Sequence, residues 1–189
     1  MTPLSSRSHI LFGVAAAVAL AAACVIAIAA ASGGFHNSRF FRNRVSCVVP
    51  NLGGTVVDVT LTNMGGPMMR QGASMMGGMM RLSADRTTVG HGAVSFLAVN
   101  GGNVNHELVV LPLPETQIVG TRPIAGDARI DEGDSLGEAS NTCNEGAGNG
   151  IAPGASSWVT LTLQPGRYEL VCNLPGHYAA GMYTQLTVT

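Results

Sequence analysis

Short stretches of apolar and polar residues alternate along most of the chain after residue 54. In "GTVVDVTLT", the apolar residues Val57, Val59 and Leu61 alternate with Asp and Thr residues. A period of two places the apolar side chains on one face of a strand. Similar short apolar or alternating runs are "MMRLS", "AVSFLAVN", "HELVVLPL", "SWVTLTL", "RYELVC" and "QLTVT". Clusters of Gly, Pro, Asn and Ser separate these stretches, so the pattern predicts an all-β sandwich or barrel.

The N-terminal segment has a different pattern. Ile10–Ala31 is almost wholly apolar and follows the basic residues Arg7 and His9. As a helix, such a run can cross a hydrocarbon core of about 30 Å, and its small terminal residues also suit signal-peptide cleavage. We predict that residues 1–31 are a membrane anchor or a signal peptide, and we favour the anchor. Cys24 makes a weaker lipoprotein candidate, and each alternative places the remaining chain outside the cytoplasm.

The rest of the chain divides into a linker over residues 32–44 and one domain over residues 45–189. The whole sequence has 10 basic and 11 acidic residues, which gives a formal net charge of −1. A protein that binds nucleic acid by electrostatic attraction has a basic surface. The charge balance therefore predicts that nucleic acid is not a partner.

Three cysteines follow the linker, at Cys47, Cys143 and Cys172. Outside the cytoplasm, two of them are expected to form a disulfide. Cys172 lies within a group of residues that can bind a metal ion. We therefore predict the disulfide between Cys47 and Cys143.

The C-terminal stretch "YELVCNLPGHYAAGMYTQLTV" places Cys172, His177 and Met182 at two successive steps of five residues. On a helix, five residues rotate a side chain by roughly 140°, and on a strand an odd step changes the face. These three side chains can converge only from a curved loop. The intervening "NLPGHYAAG" has the Pro and Gly residues of turns, so it suits such a loop.

If these three groups bind one metal ion, a second imidazole must come from elsewhere in the chain. The candidates are His36 in the linker, His91 in the turn "TTVGHGAV" and His106. His106 opens the predicted strand "HELVVLPL", where a rigid backbone would hold a ligand in place. We therefore predict His106 as the fourth ligand and interpret His91 as a solvated turn residue.

This set of side chains indicates electron-transfer copper. Two imidazoles, a thiolate and a weak thioether are the ligands of such copper sites. Structural zinc would use four strong ligands, and a thiol protease would need Cys172 at a helix N-terminus. Multicopper oxidases and copper nitrite reductases need further copper centres, typically with paired His-x-His motifs, and the sequence has no such motif. We therefore predict an electron carrier that is not an enzyme.

The sequence resembles the cupredoxins, the family of small blue copper proteins, and in appearance its sulfocyanin-, plastocyanin- and azurin-like members. The resemblance rests on "NHELVV" and on the Cys-x4-His-x4-Met spacing of "YELVCNLPGHYAAGMY". It implies a Greek-key β-sandwich with one type 1 copper ion at one end. The implied equatorial ligands are His106, Cys172 and His177, and the implied axial ligand is Met182. The resemblance also implies that electrons leave through His177 to redox proteins of a respiratory or related chain.

The sequence departs from the family at Glu107, directly after the first predicted His ligand. Many cupredoxins have Asn or Ser at this position, where the residue stabilises the surroundings of the thiolate. Hydrogen bonds around the ligands tune the potential of a metal centre. The resemblance therefore does not extend to the redox potential.

A methionine-rich segment, "NMGGPMMRQGASMMGGMMRL", separates the first two predicted strands. Its methionines could fill gaps under a loop, form an adaptable docking patch near the copper, or bind a secondary Cu(I) ion. The last of these predicts an alternative function in copper trafficking or storage. The candidate residues are Met68, Met69, Met75, Met76, Met79 and Met80.

The long connection from about residue 114 to residue 156 lacks a strand pattern. It is rich in acidic residues and includes a stretch around 135–141 that we consider for a short helix. A connection of this length is usually functional or partly ordered. Two interpretations stay open, a solvated surface insertion and an acidic docking face for a basic redox partner.

Overall fold

The computed structural model describes residues 46–63 and 80–189. Residues 1–45, with the predicted helical anchor or signal peptide, lie outside the described residues, as does His36. Within the two described ranges, no helix is long and apolar enough to cross a membrane.

The described residues form nine strands joined by loops. The strands are β1 (Thr55–Thr62), β2 (Arg81–Ala84), β3 (Thr88–Val89), β4 (Gly92–Asn100), β5 (Leu108–Pro112), β6 (Gly137–Ala139), β7 (Ser156–Leu163), β8 (Gly166–Val171) and β9 (Tyr183–Val188). Seven of them correspond to the stretches identified in the sequence. Strands β3 and β6 are only two and three residues long, too short to show an alternating pattern.

The strands form two sheets. One has the order β2-β1-β4-β7, with β1 and β4 parallel, and the other has the order β3-β9-β8-β5-β6, with β3 and β9 parallel. The other neighbouring strands pair antiparallel. The all-β prediction is confirmed.

The alternating strands bury their apolar faces between the two sheets. In β1, Val57, Val59 and Leu61 are buried whereas Asp58 and Thr60 are exposed. These residues belong to a single cluster that also contains apolar residues of both sheets. Burial of this apolar surface is the main force that holds the sheets together.

Strand β5 differs because both of its faces are buried. Leu108 and Val110 join the core between the sheets, whereas Val109 and Leu111 belong to a second cluster with Ile130. Ile130 lies in the connection between β5 and β6. We call residues 114–136 the strap, because this segment packs on the outer face of the second sheet. The strap therefore belongs to the fold and is more than a solvated insertion.

The short helix considered around residues 135–141 is wrong. These residues include β6, which pairs with β5 from Leu108↔Ala139 to Val110↔Gly137. Gly137 has a φ of 151°, far from the helical value. The backbone N–H and C=O groups along one edge of β5 form hydrogen bonds with β6. These bonds outweigh the weak local preference of residues 135–141 for a helix.

The predicted disulfide between Cys47 and Cys143 is present in the structure. It joins the start of the described domain to the loop between β6 and β7. Cys172 is the free cysteine among the described residues, and it is buried.

Candidate metal centre

Two connections at one end of the sandwich bring the predicted ligands together. Cys172 directly follows β8, and Met182 directly precedes β9. We call residues 173–181 between them the ligand loop. His106 lies at the end of the connection from β4 to β5, which crosses from the first sheet to the second.

The ligand loop is curved, as its five-residue steps require. Gly176 and Gly181 have φ values of 82° and 94°, which favour glycine. The amide of Met182 donates to the carbonyl of His177 at 3.2 Å, and the amide of Cys172 donates to the carbonyl of Met182 at 3.0 Å. These bonds close the loop and return the chain to Cys172.

Three donor atoms converge at this end of the sandwich. The Nδ1 atoms of His106 and His177 are 3.2 Å apart. The Sγ atom of Cys172 lies 3.2 Å from Nδ1 of His177 and 3.9 Å from Nδ1 of His106. Met182 is fully buried in the same apolar cluster as Cys172. His91, by contrast, is exposed and its Nδ1 lies 3.1 Å from the carbonyl of Thr189.

The exposure of the ligands is unequal. His106, Cys172 and Met182 are fully buried, whereas His177 is partly exposed. Of these four side chains, His177 is therefore the one that reaches the surface.

Burial sets the protonation of the donor groups. It lowers the pKa of His106 to about 4, with a smaller contribution from His177, and it also lowers the pKa of His177. It raises the pKa of the Cys172 thiol to about 12. At neutral pH both imidazoles therefore keep a lone pair for a metal ion, whereas the thiolate needs a cation beside it.

The donor set fits copper. Two nitrogens 3.2 Å apart can both lie about 2 Å from a single ion, the usual distance between a metal ion and imidazole nitrogen. A thiolate and a thioether are soft ligands that favour Cu(I), and imidazole suits copper in both oxidation states. The buried thiol, which is costly to ionise alone, becomes a stable thiolate beside the ion.

The backbone of Glu107 contributes to the surroundings of the sulfur. Its amide donates to Sγ of Cys172 at 3.3 Å, and its carboxyl group accepts from the amide of Asn173 at 3.1 Å. Burial, with Glu132 and Glu138 nearby, raises the pKa of Glu107 to about 7. The side chain that departs from the family pattern therefore binds the residue next to Cys172.

His106 does not open β5, contrary to the sequence prediction. The strand begins at Leu108, and His106 forms an isolated bridge with Ile151. The physical reason is the amide of Glu107, which donates to the Cys172 sulfur and is not available to a neighbouring strand. His106 is still held by backbone hydrogen bonds, at 3.2 Å and 2.6 Å with Ile151.

Gly102 and Asn100 shape the approach to His106, and neither was predicted from the sequence as part of the site. A methyl group at Gly102 would meet Nε2 of His106 at 2.9 Å, so a larger residue does not fit. The buried Asn100 donates to the carbonyls of Val104 and Ile151 and accepts from the amide of Gly102. Nε2 of His106 has no hydrogen-bond partner among the residues that the structure describes. The only signal in the sequence was the Gly- and Asn-rich turn "NGGNVN".

Most of the methionine-rich segment lies outside the described residues. Of its candidate methionines, the described residues include only Met80. Met80 is partly buried and packs against the main core. For Met80 the structure therefore agrees with a packing role. The docking patch and the secondary Cu(I) site stay predictions for the other methionines.

Residues 70–189 match the model of the family described as copper binding proteins, plastocyanin/azurin family. The chain is 51% identical to the copper-resistant cuproprotein CopI of Pseudomonas aeruginosa over 39 residues, which are 20% of this chain and 22% of that protein. The match thus spans about a fifth of that relative's length.

Solved structures of other proteins are also similar. The reduced auracyanin of Roseiflexus castenholzii is 18% identical, with 73% of this chain and 98% of that chain covered, at a TM-score of 0.46. The rusticyanin of Thiobacillus ferrooxidans is 18% identical, with 78% and 88% covered, at a TM-score of 0.44. Because the family model matches more than half of the sequence, this chain belongs to the cupredoxins, the plastocyanin/azurin family of copper-binding proteins.

Proposed function

We propose that this protein is an electron carrier with one type 1 copper centre. The observation that carries the proposal is the convergence of two Nδ1 atoms and one Sγ atom, all within 4.8 Å of one another. The proposed ligands are His106, Cys172, His177 and Met182. When bound, copper supplies the one-electron couple between Cu(II) and Cu(I).

The protein side chains would keep the surroundings of the ion constant during electron transfer. Thiolate and thioether donors favour Cu(I), whereas imidazole suits both states. Burial of His106, Cys172 and Met182 excludes water from the ion. The partly exposed His177 is the proposed exit for the electron, because its ring joins the ligand cluster to the surface.

We also propose that the protein acts as a carrier and not as an enzyme. Catalytic metal sites use three protein ligands and keep a position for water or substrate. Here Met182, which is buried in the same cluster as Cys172, is proposed as a fourth ligand, and its binding would leave no such position.

We also propose that the domain works outside the cytoplasm, anchored to a membrane by the N-terminal segment or released after its cleavage. The disulfide between Cys47 and Cys143 supports this location, because disulfides persist in oxidising compartments. The proposed partners are redox proteins of a respiratory or related chain. The acidic residues of the strap are one candidate docking face for a basic partner.

The test of the proposed function is spectroscopic. The copper-loaded protein should have an intense visible band from charge transfer between the thiolate and Cu(II), and Cys172→Ser should abolish the band. His91→Ala, an exposed histidine away from the ligand cluster, serves as the matched control and should keep the band. A colourless Cu(II) form of the unaltered protein would refute the proposal.

The alternative function is copper trafficking or storage through the methionine-rich segment. The similarity to a protein named copper-resistant cuproprotein favours it, although over 39 residues only. Copper stoichiometry distinguishes the two functions. More than one tightly bound Cu(I) per chain, lost when Met75, Met76, Met79 and Met80 are replaced together, would support storage or trafficking.

A further inference from the structure

We propose that the strap positions the ligand loop for copper, and that Tyr178 is the principal positioning residue. This inference rests on the proposed copper site. It concerns how the chain holds His177 and Cys172 in place, through residues that do not themselves touch the ion.

The strap is anchored on a buried ion pair at the outer face of β8. Glu169 is fully buried and accepts from Nε of Arg122 at 2.7 Å and from the amide of Gly120 at 2.7 Å. The guanidinium of Arg122 also donates to the carbonyl of Pro112 at the end of β5. A buried charge pair with its hydrogen bonds satisfied has few alternative arrangements, so this anchor fixes the strap on the sheet.

Tyr178 joins this anchor to the ligand loop. Its hydroxyl group donates to Oε1 of Glu169 at 2.9 Å and accepts from the amide of Arg122 at 3.1 Å. Its ring is buried in the cluster with Ile130 and lies 5.1 Å from the ring of Tyr183. Because Tyr178 directly follows His177, this anchor restricts where the His177 ring can lie.

The strap makes two further contacts with the ligand loop. The amide of Gly176 donates to the carbonyl of Ala128 at 2.9 Å. Ala128 has a φ of 63°, a left-handed conformation that is uncommon and strained for a residue other than glycine. A strained residue whose carbonyl binds the ligand loop agrees with a functional constraint at this point.

The second contact is at Asn173, next to Cys172. The Asn173 side chain accepts from the amide of Ile130 at 2.7 Å and donates to its carbonyl at 2.9 Å. It also donates to the carboxylate of Glu132. The strap therefore binds the loop at three residues, one beside Cys172 and two on either side of His177.

The proposed consequence is a ligand geometry that depends little on the ion itself. Partners that orient metal ligands typically contribute about 10- to 100-fold to metal affinity. The contacts of the strap are backbone and side-chain hydrogen bonds away from the donor atoms. They should therefore hold the loop in the metal-free protein as well.

Tyr178→Phe is the decisive variant, and Tyr168→Phe is its matched control. Both remove one hydroxyl group from a buried tyrosine, and Tyr168 donates only to the carbonyl of Gln164 at 2.8 Å. Tyr178→Phe should release copper about 10-fold faster and shift the visible band and the copper hyperfine splitting. In the metal-free protein, it should also accelerate hydrogen exchange at the amide of Gly176, which donates to Ala128, and at the amide of Ile130, which donates to the Asn173 side chain. Tyr168→Phe should leave all of these properties unchanged.

The proposal is refuted if Tyr178→Phe matches Tyr168→Phe in copper release, spectrum and amide exchange while both lower the melting temperature. This result is distinct from failure of the proposed function, which would be a colourless unaltered protein. If Tyr178→Phe does not fold, Glu132→Ala tests the same role, with the exposed Asp131→Ala as a control of equal charge. Faster exchange at the amide of Ile130 in Glu132→Ala alone supports the proposal, and equal exchange in the two variants overturns it.

Discussion

The two ends of the sandwich differ in whether their polar groups are buried or exposed to solvent. At the copper end, Asn100, His106, Glu107 and Asn173 are buried within the protein. At the other end, the connection at Gly90 and His91 and the connection at Gln164 and Pro165 are exposed. Polar groups in these exposed turns are open to water, so they depend less on partners within the protein.

The copper end needs protein partners because water is excluded there. Leaving a buried donor or acceptor unsatisfied costs about 1–3 kcal/mol. Asn100 meets this demand with hydrogen bonds to Gly102 and Val104 of its own connection and to Ile151 of the connection between β6 and β7. Asn173 meets it with bonds to the strap. The long segments at this end therefore supply hydrogen-bond partners for buried polar groups. The short turns at the other end are exposed and do not need to supply them.

The largest difference between the two ends should appear when one histidine is removed from each. His106→Ala removes a proposed ligand, and it should weaken copper binding by more than the roughly 10- to 100-fold that loss of a ligand's hydrogen-bond partner costs. His91→Ala should leave the affinity unchanged because its ring faces solvent. Competition with a copper chelator measures both affinities. Equal copper affinities in the two variants would show that His106 is not a copper ligand.

The next largest effect should follow from the buried ion pair under the ligand loop. Glu169→Ala removes the buried carboxylate beside Arg122 and leaves only the exposed Asp134 at 3.7 Å, and breaking a buried pair typically costs about 3–5 kcal/mol of unfolding free energy. Glu115→Ala breaks an exposed pair with Arg167 and should change the stability by less than about 1 kcal/mol. Urea unfolding of the metal-free variants measures both values. A similar small loss in both would show that the pair at Arg122 is not a strong anchor.

The disulfide should contribute somewhat less. Removing both cysteines, by Cys47→Ala with Cys143→Ala, frees a link between residues 96 positions apart, and such links typically contribute about 2–4 kcal/mol. The visible copper band should persist, because Cys172 supplies the thiolate. Thermal unfolding and the absorption spectrum of the double variant check the two statements. Loss of the band in a folded variant would contradict the separation between the disulfide and the copper site.

The smallest effect should occur away from the copper end, at Asp85 beside β2. The hydrogen bond from Arg86 is the main cause that holds the pKa of Asp85 below its ordinary value. A carboxyl group with a lowered pKa in the folded state stabilises the protein above pH 4, and this contribution disappears as the pH falls through the folded pKa. Asp85→Asn should therefore be slightly less stable than the unaltered protein at pH 7, and the difference should shrink as the pH falls. Unfolding over a series of pH values tests the sign, and a difference that grows towards low pH would contradict it.

Much of the fold could be predicted from local pattern. The alternation of Val57, Val59 and Leu61 has a direct physical cause, because one face of β1 lies against the core. The two-residue and three-residue strands β3 and β6 could not be predicted, because they exist only through pairing with β9 and β5. The same reason explains the incorrect helix around residues 135–141.

Within the site, the chain by itself determined what was local. The spacing of Cys172, His177 and Met182 required a curved loop, and the choice of donor types indicated copper. Only the tertiary structure decided three contacts. The amide of Glu107 donates to Sγ of Cys172, Gly102 lies too close to His106 for a larger residue, and Tyr178 donates to Glu169. The contacts of Glu107 and Tyr178 join residues that lie on different elements, and the approach of Gly102 to His106 depends on how the connection between β4 and β5 folds. Their partners are selected by how the two sheets and the strap pack, which no local pattern encodes.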